Sequence, residues 1–331
     1  MTAPSPSSRD AQPAIVVAGL AKRFGEVAAV HDVSVTIGTN ETFGFIGPDG
    51  AGKTTLIRML VSLLVPDAGT AHVLGLDVVS QLWELRRHLG YMPGRFSLYP
   101  DLSVEENLRF FASVFGTTIE REYAQIAPIY SQLEPFKHRR AAALSGGMKQ
   151  KLALCCALVH RPRILFLDEP TTGVDAVSRR EFWELLGRLK ETGLTIVLST
   201  PYMDEARRCD RVALMQHGRL LAVDTPHAIT ASFGHPLFAV TAGNRYRALQ
   251  TLREFPQTAS VYPFGETLHY TDRRTDLSPD AIANELRQFA SSRGLGDVSV
   301  APIGPTIEDV FMARMGAPEE FAPAETRGGA A

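Results

Sequence analysis

The chain has 331 residues, 45% of them hydrophobic and 21% charged, with a formal net charge of −2. That balance suits a folded protein with a large core and gives no reason to expect a nucleic-acid polyanion as partner. At about 150 residues per domain, the length suggests two domains.

Residues 1–13 are Pro/Ser/Ala-rich, lack the apolar core of a secretory signal and read as a disordered tail. From Ala14 the sequence A-I-V-V-A-G-L-A-K-R-F-G-E-V-A-A-V-H-D-V-S-V-T-I has period-2 stretches and a turn at Phe24-Gly25, which predicts an antiparallel β-subdomain. Residues 42–46, 164–167 and 195–199 are short and apolar on both faces, as strands of a covered sheet should be. Helical patterns over 53–64, 148–159 and 178–191 alternate with them, so an α/β fold with a mainly parallel sheet is predicted. After Asp224-Thr225-Pro226 the texture changes. Strands over 237–242 and 298–301, a hairpin over 260–270 and helices over 246–255, 280–292 and 307–315 predict a small α+β appendage at 229–316. The residues from 317 resemble the N-terminal tail.

No apolar run approaches the ~18–20 residues needed to span a bilayer. Cys155, Cys156 and Cys209 include one adjacent pair and no C-x-x-C spacing. That pattern argues against a disulfide or zinc framework and for a reducing compartment.

Three segments carry chemistry. The first is G-P-D-G-A-G-K-T-T, residues 47–55, directly after an apolar strand and opening a helix. It satisfies G-x-x-x-x-G-K-[ST] in the context that gives the pattern meaning. Gly47, Pro48, Asp49, Gly50, Ala51 and Gly52 form a loop whose backbone N–H groups curl around phosphate oxygens at a helix N-terminus. Lys53 supplies a mobile charge to the β/γ-phosphates, and Thr54, followed by Thr55, offers a hydroxyl to Mg²⁺. The second is R-I-L-F-L-D-E-P, residues 163–170, in which an apolar strand ends on two acids. Asp168 is placed to hold the magnesium shell and Glu169 to polarise the attacking water. An N-cap would explain such acids equally well in isolation. The phosphate loop 115 positions earlier (168 minus 53) favours the catalytic assignment. The third is L-S-G-G-M-K-Q-K, residues 144–151, a second anion-binding turn at a helix start. One nucleotide site has little use for two such turns. Two subunits docked head to tail, each closing the other's phosphate loop, would use both.

On these residues the chain resembles the nucleotide-binding subunit of an ATP-binding-cassette (ABC) transporter over residues 14–228. The resemblance implies ATP and Mg²⁺ as cofactors and ATPase activity. It places Lys53 and Thr54 on the phosphate loop, Ser145, Gly146 and Gly147 on the signature that acts on a partner's ATP, and Thr54 and Asp168 on magnesium. Glu169 falls on the catalytic base, Asp175 on the loop that communicates across the dimer, and Phe24 on the aromatic that stacks on adenine. Met148 stands where the family usually has glutamine. S-L-Y-P-D-L-S-V-E-E-N-L (97–108), T-T-G-V-D-A-V-S-R-R-E-F-W (171–183) and G-P-T-I-E-D-V-F (304–311) resemble the ATPases of type-2 ABC exporters, which include multidrug and antibiotic efflux systems. Membrane permease subunits are then the implied partners, docking near 97–108, with the ATPase peripheral on the inner face of the plasma membrane. Glu105 and Glu106 are also what a helix first turn favours.

Two positions depart from the family. Gly94 stands where a glutamine usually touches Mg²⁺ and water, and Pro201 where a histidine usually contacts the γ-phosphate. Locally, Pro201 suits the start of a helix capped by Thr200 with Asp204 and Glu205 in its first turn. Losing transition-state contacts of this kind typically costs ~10²–10³ in rate per group. The expectation is one half of an asymmetric pair, whose own site is slow and whose signature serves a fully equipped partner ATPase; a homodimer is the other arrangement. Two further readings compete: a soluble ABC ATPase acting on nucleic acid or ribosomes, and a nucleotide-sensing subunit with little turnover. The first fits poorly, because the chain has one cassette, no room for an insertion between residues 53 and 168, and an acidic balance.

Overall fold

The computed structural model describes residues 13–95 and 97–315. The tails expected at 1–13 and 317–331 lie, but for Pro13, outside the described residues. Contacts divide the chain at Pro226/His227 into two compact units.

In the first unit, β1 (Ile15–Phe24) and β2 (Val27–Ile37) form an antiparallel hairpin through the turn at Phe24-Gly25. With β3 (Thr42–Ile46) the chain enters a second sheet and passes through the phosphate loop into α1 (Lys53–Leu60). It then returns to the first sheet through β4 (Ala68–Val73) and β5 (Leu76–Asp77), giving the antiparallel order β2-β1-β4-β5. α2 (Leu82–Arg86), β6 (Leu89–Met92), α3 (Val104–Val114), α4 (Ile119–Tyr130) and α5 (Gly146–Leu158) follow. The first unit closes with β7 (Ile164–Asp168), α6 (Ala176–Glu191), β8 (Thr195–Thr200), β9 (Arg211–Gln216) and β10 (Arg219–Asp224).

The second sheet has the order β10-β9-β3-β8-β7-β6 and is parallel except for β10. Every residue of β3, β7 and β8 is buried, which is why these strands are apolar without alternation. Leu56, Ile57, Met59 and Leu60 bury one face of α1, each side chain stabilising by about 1.5–3 kcal/mol. α1 stops four residues before the sequence pattern does. Ser62 takes φ 59°, and the Leu63 and Leu64 N–H groups both turn back to the Arg58 carbonyl, so the apolar run to Leu64 continues as a turn.

Helix starts account for several polar residues. Ser103 and Glu106 form a reciprocal capping box on α3, so Glu106 has a full local explanation, while Glu105 pairs with Arg109 at 3.1 Å. Ser145 caps α5 by accepting from Met148 N–H at 3.3 Å. Asp175 caps α6 by accepting from Val177 and Ser178.

One local prediction is corrected. Pro201 does not open an α-helix: the residues that follow form a 3₁₀ turn, Met203–Arg208, and the Thr200 hydroxyl accepts from Tyr202 N–H at 3.1 Å. Glu205 is buried and accepts through Oε1 from Thr171 Oγ1 (2.8 Å), Arg179 Nε (2.7 Å) and Trp183 Nε1 (3.0 Å). These bonds, with Arg179 also holding Asp204, fix the segment on α6 in place of a regular helix.

α7 (Pro226–Ala231) spans the boundary, and the second unit follows: β11 (Leu237–Thr241), α8 (Arg245–Arg253), β12 (Thr258–Phe264), β13 (Thr267–Asp272), α9 (Pro279–Ser292), β14 (Ser299–Pro302) and α10 (Ile307–Met315). Its sheet is antiparallel in the order β12-β13-β11-β14. Phe238, Val240, Leu252, Tyr270, Ile282 and Leu286 build its core. α10 is tied down by Asp309, fully buried, which accepts from Tyr262 Oη (2.5 Å), Thr306 N (2.7 Å) and Thr306 Oγ1 (2.6 Å) and pairs with His269 Nδ1 (2.5 Å).

Candidate nucleotide site

Register places the sequence-predicted groups side by side along the C-terminal edge of the parallel sheet. Ile46, the last residue before the phosphate loop, pairs with Thr200, and Asp168 pairs with Ser199. Met92 pairs with Leu167. Across the edge the order is therefore phosphate loop, Pro201, the Asp168-Glu169 pair, then Gly94. The carboxyl ends of parallel strands are where open α/β sheets bind ligands.

The loop's conformation needs glycine at Gly52, which caps α1 with φ 101° and would drive a Cβ to 2.2 Å from the Ala29 carbonyl oxygen. Lys53 is buried, with Nζ donating to the carbonyls of Gly47 (2.8 Å) and Pro48 (2.9 Å) and lying 3.4 Å from Glu169 Oε1. Its cation is held by neutral carbonyls and one partly exposed acid, an arrangement that leaves it ready to turn to an anion. Thr54 Oγ1 donates to Asp168 Oδ1 at 2.8 Å, and Ser199 Oγ donates to the same oxygen at 2.6 Å. Thr54 and Asp168 together present hard oxygen donors of the kind Mg²⁺ takes alongside phosphate oxygens and water. The residues fit that ion. Glu169 has φ 51°, and its N–H reaches both the carbonyl and the hydroxyl of Ser199. A strained backbone at the end of a strand turns its carboxylate toward the phosphate loop.

The cavity above these groups has a volume of about 570 Å³ and is lined by Phe24, Val27, the loop from Asp49 to Thr55, Glu169 and His217, within the usual range for a small-molecule site. Phe24, half exposed at the end of β1, forms its aromatic wall. Ser145, Gly146 and Gly147 are elsewhere. Gly146 lines a separate groove with Gly94, Arg95, Thr172 and Gly173, so the chain's own signature turn does not close its own phosphate loop. Asp175 sits beyond that groove, at the start of α6.

Gly94 packs directly on the C-terminal end of β7: a Cβ there would lie 2.9 Å from the Asp168 carbonyl oxygen. Behind it, Tyr91 is pushed above its ordinary pKa, first by burial and then by the charge of Asp168. Sequence reasoning did not find Ser199, the Glu205 hub or His217. Ser199 is two residues before Pro201, yet only strand register reveals that it supports both acids.

An ABC transporter family model matches residues 30–172. The chain is 40% identical over 310 residues to the "Probable multidrug ABC transporter ATP-binding protein YbhF" of Escherichia coli K12, covering 91% of this chain and 52% of that protein. It thus spans about half the length of that relative. It is 38% identical over 305 residues to the Nod factor export ATP-binding protein I of Rhizobium sp. strain N33, covering 90% of this chain and 96% of the relative. Among solved structures, an ATP-binding subunit of an ABC transporter aligns at 29% identity and a TM-score of 0.61 over 66% of this chain and 93% of that one. A cassette solved as a dimer in a post-hydrolysis state with ADP and Pi shares the fold, at 24% identity and a TM-score of 0.58 over 64% of this chain and 98% of that one. The chain belongs to the ATP-binding proteins of the ABC transporter family. It has the α/β cassette fold of that class.

Proposed function

We propose that the chain is the ATPase subunit of a type-2 ABC exporter that moves drugs or other hydrophobic solutes through separate membrane permease subunits. The observation that carries this reading is the placing of Lys53, Thr54 and Glu169 around one cavity at the strand ends, with buried Asp168 bonded to Thr54. The relatives' names point to export. Among the described residues no helix is long and apolar enough to cross a membrane; in this reading separate permease subunits carry out translocation and hold this one on the inner face of the membrane.

In this reading Phe24 stacks on adenine and the loop from Gly47 to Thr55 cradles the phosphates. Lys53 leaves its loop carbonyls for the β/γ-phosphates. Thr54 and Asp168 hold Mg²⁺, which when bound would offset phosphate charge. Glu169 orients and polarises the attacking water. Ser145, Gly146 and Gly147 serve the ATP of a second ATPase subunit, and Asp175 lies at the contact between the two. The permease would dock a cytoplasmic helix in the apolar groove of about 440 Å³ lined by Trp83, Tyr91, Leu98, Phe111, Val114 and Phe115. The guanidinium groups of Arg86 and Arg87 on its rim favour an acidic helix. Tyr91 leads from that groove to Gly94 and Asp168.

The chain's own hydrolytic site is weakened. Pro201 stands between the phosphate loop and Glu169 without a donor, and Gly94 has no side chain to offer. A heterodimer with a complete ATPase follows from this, and the 52% coverage of the Escherichia coli relative leaves room in that protein for as much chain again. Pro201→His tests the point. Gly94→Gln would press on the Asp168 carbonyl, so the proline is the cleaner site. With the second ATPase subunit present and its own catalytic carboxylate removed, steady-state ATP hydrolysis should rise about tenfold or more in Pro201→His; a rate equal to the parent's would sink the weakened-site reading. A nucleotide sensor would bind ATP and fail to turn over even with the histidine restored.

A further inference from the structure

The turn between β9 and β10 carries a side chain into the nucleotide cavity that nothing above has used. It is two residues long, His217-Gly218, with φ 47° and 76°. This is the geometry of a type I′ hairpin, whose usual occupants are Asn-Gly or Gly-Gly. A histidine in left-handed backbone is uncommon. The residue is exposed, so core packing does not account for it.

The turn is firmly held. Gly218 N–H donates to the Ala51 carbonyl at 3.0 Å, and the Gly218 carbonyl accepts from His31 N–H at 2.8 Å. Ala51 belongs to the phosphate loop. Gly218 also rests against the carbonyls of Ala28 and Ala29, which follow Val27 on the wall shared with Phe24. His217 therefore lines the cavity where the phosphate loop meets the aromatic wall. The part of a nucleotide that bridges those two features is the ribose with its first phosphate.

The ring's orientation adds chemistry. The Gln216 side-chain amide nitrogen lies 3.3 Å from His217 Nε2. That contact engages Nε2 and leaves Nδ1 as the other ring nitrogen. An imidazole nitrogen at this place can donate to a ribose or α-phosphate oxygen.

We propose that His217 is a nucleotide-binding residue that donates to the ribose–α-phosphate segment of bound ATP or ADP, between the adenine wall and the loop that takes the outer phosphates. The proposal rests on the ATP-site reading. Titration calorimetry on the full chain tests it, with Mg·ATP, Mg·ADP and pyrophosphate, which fills only the phosphate loop. The variants are His217→Asn and His217→Gly, both suited to left-handed backbone, beside Lys53→Ala. Both His217 variants should bind ATP and ADP about three- to tenfold more weakly, with pyrophosphate affinity and Tm unchanged. Unchanged ATP affinity in both would overturn the proposal. So would an equal loss for pyrophosphate, which would mean the turn acts only by bracing the loop. If the parent itself bound no ATP and Lys53→Ala made no difference, the site reading would fail and this inference with it.

Discussion

Two buried charged clusters in this chain look alike in composition and differ in what surrounds them. In the C-terminal unit Asp309 is fully enclosed and meets four groups at 2.5–2.7 Å. Burial opposes its ionisation, yet the bonds from His269, Thr306 and Tyr262 outweigh that and hold the carboxyl below the usual range. At the strand ends of the first unit, Lys53 is equally buried but rests on two backbone carbonyls and a carboxylate 3.4 Å away, at the floor of an open cavity. A buried ion persists only when it is well paired. The closed, saturated cluster is a fastening for α10. The open one is paired through contacts that can be exchanged, as the proposed binding site requires.

Substitutions at the two clusters should separate these roles. Lys53→Ala should lower Mg·ATP affinity about 100-fold, since several charge-assisted bonds to phosphate go with it. Its thermal stability should fall little, and titration calorimetry beside a melting curve checks both. Asp309→Asn should do the reverse. It removes the charge that orders four partners, so denaturant unfolding should show a loss of about 2 kcal/mol, with ATP affinity unchanged. A drop in ATP affinity equal to that of Lys53→Ala would break the contrast.

A smaller effect sharpens it. The folded-state pKa of Asp309 lies below its unfolded value, so its contribution to stability is fully present above the unfolded pKa of about 3.9 and is lost as pH falls through the folded pKa. The melting temperature of the parent should therefore decline on acidification below about pH 4, and Asp309→Asn should flatten that decline. Parallel acid profiles for the two proteins would contradict the assignment.

Much of this was legible in the sequence, for physical reasons. β3, β7 and β8 are apolar on both faces because both faces are covered, and the phosphate loop announces itself through glycines that only a tight strand-to-helix turn requires. What stayed hidden depends on register. Nothing in L-S-T-P-Y-M-D-E states that Ser199 will support Asp168 and Glu169 from the neighbouring strand. Local propensity also misled at one point. Asp204 and Glu205 look like helix first-turn acids, but Glu205 is drawn into bonds with Thr171, Arg179 and Trp183, and the segment becomes a 3₁₀ turn. Asp309 has the same appearance in P-T-I-E-D-V-F. It does accept from Thr306 as such a residue should, and the long-range partners Tyr262 and His269 make it the anchor of its unit. The type I′ turn at His217 gave a weak signal, since His-Gly is a permitted but unusual pair there.

The central claim is that this cassette binds Mg·ATP at a complete phosphate and magnesium site while hydrolysing it slowly. The most direct measurement is Mg·ATP affinity, steady-state hydrolysis and solution mass of the purified chain, beside Glu169→Gln. The account predicts tight binding, turnover close to that of Glu169→Gln, and a monomer in the presence of ATP. Robust turnover from an ATP-bound homodimer, abolished by Glu169→Gln, would contradict it and make the chain a self-sufficient motor despite Gly94 and Pro201.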